Sequence, residues 1–310
     1  MKRGLIGLKK KSNSSDRLFS KFVLPAQNID IILRRKSAVW EVKIMPLLAG
    51  YMVPHPPIAV AEIGRGEEKK IQATLDAFDA VAADIAALKP DTIIVTSPHS
   101  VMYRDYFHIS PGKKALGNLG RFRAPQVQFE QEYDTELVAT IEDLCDRQRF
   151  PAGTMGEVDK FLDHGTMVPL YFVNKRYKGY KLVRIGLSAL PLELHWQFGQ
   201  IIRNAIDRRG ERVVFIGSGD LAHCQKVDGP YGYRPSGPEY DERIMDVMGR
   251  ADFKALLDFD ERFLDDCMEC GHRSFTIMGG AFADDKVNVK KLSHEATFGV
   301  GYGICIYHPM

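Results

Sequence analysis

The sequence predicts an α/β fold: a single three-layer domain with a mostly parallel central sheet and helices on both faces. Short apolar runs rich in β-branched residues alternate with longer segments of helical periodicity. Such alternation is typical of parallel strands joined by crossover helices. After residue 45 there is no internal repeat, low-complexity tract or linker, so we expect one domain over residues 45–310.

The first half of that domain contains two predicted strands and two predicted helices. Leu47–Tyr51 is a short apolar run, and residues 67–88 carry apolar side chains at steps of three and four, which predicts an amphipathic helix. A second buried strand is expected at Asp91–Ser97, and another helix at 134–149. The Gly-rich, basic stretch 112–125 is interpreted as a surface loop, with a substrate-facing lid as the alternative.

The second half repeats the alternation. An apolar run at 167–173 follows Asp163-His164, which puts His164 in a loop or in the first turn of a helix. The remaining predicted elements are strands at 181–188 and 212–217, a helix from Leu194 that ends at Gly210, a loop at 229–238, helices at 239–257 and 260–283 with a break at Gly271, and an edge or antiparallel strand at 299–307.

Composition excludes several classes of protein. The chain is 45% hydrophobic, enough for a sizeable core, yet no apolar run reaches the roughly 18 residues of a membrane span. The five cysteines are few and odd in number, which argues against a disulfide framework and for a reducing compartment. We therefore expect a cytoplasmic protein with no membrane partner.

The basic residues are concentrated at the amino terminus. Residues 1–44 hold 11 of the 42 Lys and Arg and 3 of the 40 Asp and Glu, so residues 45–310 hold 31 and 37, a net charge of −6. No nucleic-acid partner is expected for a body of that charge. We interpret residues 1–44 as a basic, disordered extension that results from an upstream start, with Met45 as the native start; a targeting segment is the alternative.

Three histidines follow predicted strands. His55 lies between two prolines that restrict its backbone, His99 follows a proline, and His223 ends the loop after the strand 212–217. The carboxyl ends of parallel strands meet at one edge of a sheet, where ligands bind. Two imidazoles and a carboxylate suit non-haem Fe(II), and zinc hydrolases use the same ligand types. The candidate carboxylates are Glu157, Asp159, Asp163, Asp220 and Glu269.

Seven ordered motifs carry a resemblance to a known family: VPHPP at 53–57, SPHS at 97–100, LDHGTMVPLYF at 162–172, SGDLAH at 218–223, GPYGYRPSGPEYD at 229–241, ECGHRSF at 269–275 and FGVGYG at 298–303. With these motifs the chain resembles the class III extradiol ring-cleavage dioxygenase superfamily, which includes the protocatechuate 4,5-dioxygenase catalytic subunit. It is more similar to the branch called AmmeMemoRadiSam system protein B, related to the Memo proteins.

This resemblance implies roles for particular residues. It makes His55, His99 and Glu269 the ligands of Fe(II), His223 the acid–base catalyst and His164 a catalytic residue near the substrate. Memo-like relatives can carry a cysteine where the carboxylate is expected. Cys270, next to Glu269, is therefore an alternative third ligand.

The implied activity is extradiol cleavage of a catechol-type ring with O₂. The implied partners are a small aromatic substrate and O₂, together with either a second copy of this chain or another protein of the same system. One alternative is a Memo-like protein that binds copper or iron and acts with a partner or a radical-SAM system without ring cleavage. A weaker alternative is a metal-dependent hydrolase.

Three further features have less specific interpretations. Cys267 and Cys270 form a CxxC pair inside a helical stretch, which favours helix packing over a zinc or redox site. Asp220 is a candidate to orient the His223 ring or to cap a following helix. Four arginines are either anion contacts for an acidic substrate or solvated side chains: Arg121, Arg123, Arg234 and Arg273.

Overall fold

The computed structural model of the chain describes residues 46–310 and the backbone of two strands before them. The predicted extension at 1–44 lies largely outside the described residues; within it, 31–36 and 39–44 pair as antiparallel strands. None of the described helices has the length and apolar character needed to cross a membrane.

Strands and helices alternate through the middle of the chain. The strands are β1 (Ile31–Lys36), β2 (Val39–Ile44), β3 (Leu47–Val53), β4 (Thr92–Ser97), β5 (Phe107–His108), β6 (Lys114–Leu119), β7 (Ala124–Glu132), β8 (Ala152–Gly153), β9 (Lys181–Gly186), β10 (Val213–Ser218), β11 (Val287–Glu295) and β12 (Tyr302–Pro309). The helices are α1 (Ala61–Gly64), α2 (Gln72–Leu88), α3 (Thr135–Gln148), α4 (His164–Asn174), α5 (Leu192–Arg209), α6 (Ser236–Gly249), α7 (Glu261–Cys267) and α8 (His272–Ala281), with 3-10 turns at Pro57–Ala59, Glu67–Ile71, Gly120–Phe122 and Phe253–Asp258.

The central sheet has six strands in the order β11-β12-β3-β10-β4-β9. Strands β3, β10, β4 and β9 are parallel, whereas β12 is antiparallel to both β3 and β11. The prediction of a mostly parallel sheet is thus only roughly right, because the last two strands form a hairpin rather than a crossover unit. Strand β11, which was not predicted, takes the edge position that the sequence favoured for 299–307.

Apolar residues fill both sides of this sheet. Along β10, Val213 and Phe215 belong to one core, which also contains side chains of α3, α5 and α8. Val214 and Ile216, which point the opposite way, belong to a second core with α2 and α4. Since neighbouring residues of a strand face opposite sides, a run that is apolar throughout requires helices on both faces, as predicted.

Several helix boundaries follow from local capping. Asp134 begins α3 by accepting a hydrogen bond from the Leu137 N–H (3.0 Å), and Asp163 begins α4 in the same way with Thr166 N (3.0 Å). Gly210 ends α5 in the left-handed conformation, at φ 71°. The predicted helix at 260–283 is two helices, α7 and α8, separated by a turn at residues 268–271.

One predicted loop is regular structure. Residues 112–125 fall mainly in the hairpin of β6 and β7, whose turn is the 3-10 segment Gly120–Phe122. Strand β6 alternates exposed and buried residues, with Ala115, Gly117 and Leu119 buried. Only one face of the hairpin packs against the body, so every second residue of β6 is exposed and polar or charged. Because one of the buried residues is a glycine, the alternation is hard to recognise in the sequence.

Candidate metal centre and adjoining cavity

Three loops meet at the carboxyl edge of the sheet. Strands β3, β10 and β4 are neighbours, and the loops that follow them carry His55, His223 and His99 respectively. The sequence prediction that these histidines share one edge is therefore matched by the strand order.

The His55 ring is buried and held by Ser218, the last residue of β10. Its Nδ1 lies 3.0 Å from Ser218 Oγ, and that hydroxyl donates its own hydrogen to the carbonyl of Gly165 (2.6 Å). A hydroxyl has one hydrogen to donate, so His55 Nδ1 must carry a proton and donate to Ser218. The Nε2 lone pair of His55 is consequently free to bind a metal.

A third residue joins the two histidines. His99 Nε2 lies 3.0 Å and Cys270 Sγ lies 3.6 Å from His55 Nε2, and the three ligand atoms all lie within 4.8 Å of one another. Burial, and then the charge of His99, lowers the pKa of His55 well below its usual value. Neutral imidazoles and a sulfur that converge in this way form a possible His-His-Cys metal site.

Glu269, the carboxylate favoured by the resemblance, has a different contact. Its Oε2 accepts a hydrogen bond from the N–H of His272 (2.5 Å) at the start of α8. Burial raises the pKa of Glu269 to about 7, although that hydrogen bond and the charge of Arg273 act in the opposite direction. The described structure thus groups Cys270, rather than Glu269, with His55 and His99.

Cys270 reaches the histidines because two backbone segments approach closely. It lies in the turn between α7 and α8, and its N–H donates to the carbonyl of Asp220 (3.3 Å). A Cβ on Gly219 would lie 2.0 Å from the Cα of Gly271, so this position requires glycine, and a Cβ on Gly271 would lie 2.5 Å from the ring of Phe275. The interpretation of Cys270 as helix packing is therefore wrong, because its side chain faces the loops after β3 and β10.

Asp220 supports His55 rather than His223. Its Oδ1 accepts a hydrogen bond from the backbone N–H of His55 (2.7 Å), and no helix begins in the described residues 221–235. Burial raises the pKa of Asp220 to about 6, against the effect of the His55 hydrogen bond. The expectation that Asp220 caps a following helix is not met, and the contact that the structure gives it fixes the His55 loop.

His164 is the first residue of α4 and packs on the other two histidines. Its ring stacks on His99, with centroids 4.0 Å apart, and meets His55 edge-on at 5.3 Å. Burial lowers its pKa to about 3; the neighbouring His55 and His99, and more weakly Arg121, act in the same direction. His164 is therefore neutral at physiological pH and borders the candidate site.

His223 interacts electrostatically with these residues and packs on a tyrosine. Its ring stacks on Tyr231, with centroids 5.1 Å apart. Burial lowers the pKa of His223, while Asp220 raises it and His99 lowers it. The ring is thus a neutral base that is electrostatically coupled to the candidate metal ligands.

A cavity of about 360 Å³ opens beside the histidines. Its walls include His99, His164, Phe122, Phe161 and Arg121. A larger cavity of about 990 Å³ lies along β7 and contains none of the histidines. The smaller cavity is the better candidate site, because polar side chains with perturbed pKa values converge there.

Comparison with known proteins identifies the family. Residues 49–305 match the model of the catalytic LigB subunit of aromatic ring-opening dioxygenase. The chain belongs to this family. Membership confirms the resemblance at the level of the dioxygenase superfamily and supports a dioxygenase-like function.

Two known proteins are similar to this chain. Protein CA_C1420 of Clostridium acetobutylicum is 41% identical over 268 residues, which cover 84% of this chain and 57% of that protein. This chain therefore spans little more than half the length of that relative. The 2-aminophenol 1,6-dioxygenase beta subunit of a Pseudomonas species is 22% identical, over 83% of this chain and 92% of that subunit.

A solved structure shares the fold. The crystal structure of an uncharacterized protein of Escherichia coli has a TM-score of 0.56 at 13% identity, covering 84% of this chain and 99% of that one. At that identity the likeness concerns the architecture, a central mixed sheet with helices.

Proposed function

We propose that this protein is a non-haem Fe(II)-dependent, dioxygenase-like enzyme that opens a catechol-type aromatic ring with O₂. The observation that carries the proposal is the convergence of His55, His99 and Cys270, with the His164 ring stacked on His99 and both His99 and His164 lining one cavity. In a chain of the LigB family, this arrangement is the natural place for a metal, a small aromatic substrate and O₂.

The donor atoms fit a transition metal. The Ser218 hydrogen bond leaves the Nε2 lone pair of His55 pointing at His99 and Cys270, and both histidines have lowered pKa values, so they are neutral ligands. Bound Fe(II) would supply a Lewis acid and a redox centre. In this proposal His55 and His99 hold it, with Cys270 as the third protein ligand in place of Glu269.

The remaining histidines would handle protons and the substrate. His223 is neutral, so it can accept a proton from a hydroxyl of the substrate and return it when the ring opens. His164 and Phe122, whose ring centroids lie 5.1 Å apart, form one wall against which an aromatic ring can pack. The fixed rings limit the orientations that a bound substrate can adopt.

Oxygen uptake tests the proposal. The protein is loaded with Fe(II) under argon, the iron content is measured, and O₂ consumption is followed with catechol, 3,4-dihydroxybenzoate and 2-aminophenol. We expect one O₂ to be consumed for each ring opened with at least one of these substrates. Iron-loaded protein that consumes no O₂ with any catechol or aminophenol would contradict the proposal.

The variant His223→Ala separates catalysis from metal binding. Removal of a general acid–base residue lowers the rate by about 100-fold or more. We therefore expect such a loss in the rate of O₂ uptake with an iron content equal to that of the unmodified protein. Loss of iron in His223→Ala would instead make His223 a ligand.

Cys270 favours a second candidate function, a Memo-like metal-binding protein that acts with a partner or a radical-SAM system without ring cleavage. Thiolates favour softer ions such as Cu(I) and Zn(II) relative to a carboxylate. Competition between Fe(II), Cu(I) and Zn(II) under argon distinguishes the two functions. A strong preference for Cu(I), with no O₂ uptake by the iron form, would support the second candidate.

A further inference from the structure

The imidazole of His223 is oriented by packing rather than by a hydrogen bond. Neither of its ring nitrogens forms a hydrogen bond with the part of the chain that the structure describes. The aromatic side chain that packs on it is Tyr231, whose ring is stacked on the imidazole with centroids 5.1 Å apart and planes 21° apart. His55, in contrast, is fixed by the hydrogen bond between its Nδ1 and Ser218. Tyr231 is therefore the side chain placed to set the orientation of the His223 ring.

The backbone that carries this ring is fixed, so only the side-chain torsions remain free. The N–H of His223 donates to the carbonyl of Cys267 (3.2 Å). Next to it, Ala222 donates its N–H to Asp241 Oδ1 (3.0 Å), and the carbonyl of Ala222 accepts from the N–H of Gly301 (2.8 Å). The torsions of an imidazole side chain select among a small set of rotamers. A neighbour that favours one rotamer therefore decides where the ring nitrogens point.

The loop that carries Tyr231 is anchored at both ends. At its start, Gln225 donates its N–H to the carbonyl of Gly299 (3.1 Å), and at its end Arg234 donates its N–H to the carbonyl of Cys224 (3.0 Å). Between these anchors the Tyr231 side chain is 51% exposed, although most of it is an aromatic ring. The position of this ring is thus explained by its stacked partner rather than by burial in a core.

Resting on the proposed function, we propose that Tyr231 is a positioning residue for His223: its stacked ring selects the orientation in which the imidazole takes the proton of a substrate hydroxyl and returns it. Stacking of an aromatic pair changes the population of the stacked arrangement by about two- to tenfold. Because no described residue occupies the ring nitrogens, the selected orientation leaves both of them available for proton exchange.

Chemical modification of the full chain measures the orientation of this ring without turnover. The Fe(II)-loaded protein is treated with diethyl pyrocarbonate under argon, and modification of His223 is followed by mass spectrometry of its peptide. The reagent attacks a neutral imidazole, so removal of the ring that covers one face should make the reaction faster. We expect Tyr231→Ala to raise the rate about two- to tenfold and Tyr231→Phe, which keeps the ring, to leave it within about twofold.

Tyr233 provides the matched control. It lies in the same loop and is 52% exposed, but its ring stacks on no other ring of the described residues. Tyr233→Ala should leave the rate of His223 modification unchanged. A general disturbance of the loop would instead make Tyr233→Ala and Tyr231→Ala equally fast.

Oxygen uptake with catechol connects this contact to the reaction. We expect Tyr231→Ala to lower kcat about two- to tenfold with an unchanged iron content, and Tyr231→Phe to restore it. In a His223→Ala background the same substitution should have no further effect, because Tyr231 acts through the ring that is already absent. A merely structural role would lower the residual rate by the same factor in both backgrounds.

Three results would overturn the inference: equal modification of His223 in the unmodified protein and in Tyr231→Ala, equal effects of Tyr231→Ala and Tyr233→Ala, or the same loss of kcat in the His223→Ala background. Its failure is distinguishable from failure of the proposed function. O₂ uptake together with unchanged modification rates overturns the inference alone. The expected change in modification rate, in iron-loaded protein that consumes no O₂, supports the contact and overturns the proposed activity alone.

Discussion

At the scale of single residues, Ser218 decides which nitrogen of His55 is available to a metal. Its hydroxyl is committed to the Gly165 carbonyl, so it can only accept from His55 Nδ1. Hydrogen bonds of this kind fix the tautomer and the orientation of a ligating imidazole.

We expect Ser218→Ala to weaken binding of Fe(II) by about 10- to 100-fold, because His55 loses the partner that keeps its proton on Nδ1. Metal affinity is measured by competition with a chelator under argon. The control is Ser100→Ala, since the Ser100 hydroxyl is buried next to His99 and has no hydrogen-bond partner among the described residues. Equal losses in both variants would contradict the role of Ser218.

Cys270 and Glu269 can be distinguished as third ligands by paired substitutions. If Cys270 is the ligand, Cys270→Ala strongly weakens metal binding, whereas Glu269→Gln leaves the metal affinity nearly unchanged. The second variant should leave stability within about 1 kcal/mol, because the side-chain carbonyl of glutamine can still accept the hydrogen bond from His272 N. Metal titration and urea unfolding measure the two effects, and loss of metal in Glu269→Gln alone would restore the carboxylate as ligand.

At the scale of elements, one buried arginine on β9 holds the segment that leads into α4. Arg184 is 1% exposed and donates hydrogen bonds to the carbonyls of Phe161 (2.5 Å) and Asp159 (3.0 Å) and to Ser110 Oγ (2.6 Å). It also lies 3.7 Å from the carboxylate of Glu157. Arg184 thus holds the backbone of Asp159 and Phe161, two residues of the cavity wall.

We expect Arg184→Met to lower the free energy of unfolding by about 3–5 kcal/mol, because it leaves a buried carboxylate and two carbonyls without their partner. The matched control is Arg176→Gln, whose pair with Asp79 is solvent-exposed, so its removal should change stability little. Urea unfolding measures both variants. Equal small effects would show that the segment is held by other contacts.

At the scale of the whole molecule, buried neutral histidines make stability depend on pH. His195 on α5 is fully buried in the core on the α5 side of the sheet, with Nδ1 3.1 Å from the Pro191 carbonyl. Burial lowers its pKa to about 4, although the hydrogen bond to Pro191 raises it. In the unfolded chain the same ring has a pKa of about 6.5.

Between pH 6.5 and pH 4 the unfolded chain binds a proton at His195 that the folded protein does not, so this residue lowers stability as the pH falls. The loss from pH 7 to pH 5 is roughly 2 kcal/mol. His195→Leu should therefore lose about that much less stability than the unmodified protein over this interval. Urea unfolding of both proteins at pH 7 and pH 5 gives the loss of unfolding free energy for each. Asp220 and Glu269 contribute in the opposite direction, but equally in both proteins, so their effect cancels when the two losses are subtracted. Identical losses in the two proteins would contradict the prediction.

Local patterns in the sequence were enough to predict most of the sheet and three histidines of the candidate site. Buried parallel strands are continuous apolar runs, so β4, β9 and β10 are visible without knowledge of the fold. The loops after β3, β4 and β10 carry His55, His99 and His223, and parallel pairing brings such loops to one edge.

What only the tertiary structure decided depends on contacts between distant residues. Cys270 lies 215 residues from His55 in the chain and meets it because α8 packs where Gly219 and Gly271 let two backbones touch. The hairpin of β6 and β7 places Arg121 at the cavity, and the antiparallel edge follows from the pairing of β11 with β12. Periodicity and composition indicate the secondary structure and burial of a single segment, whereas a site is formed where distant segments pack against one another.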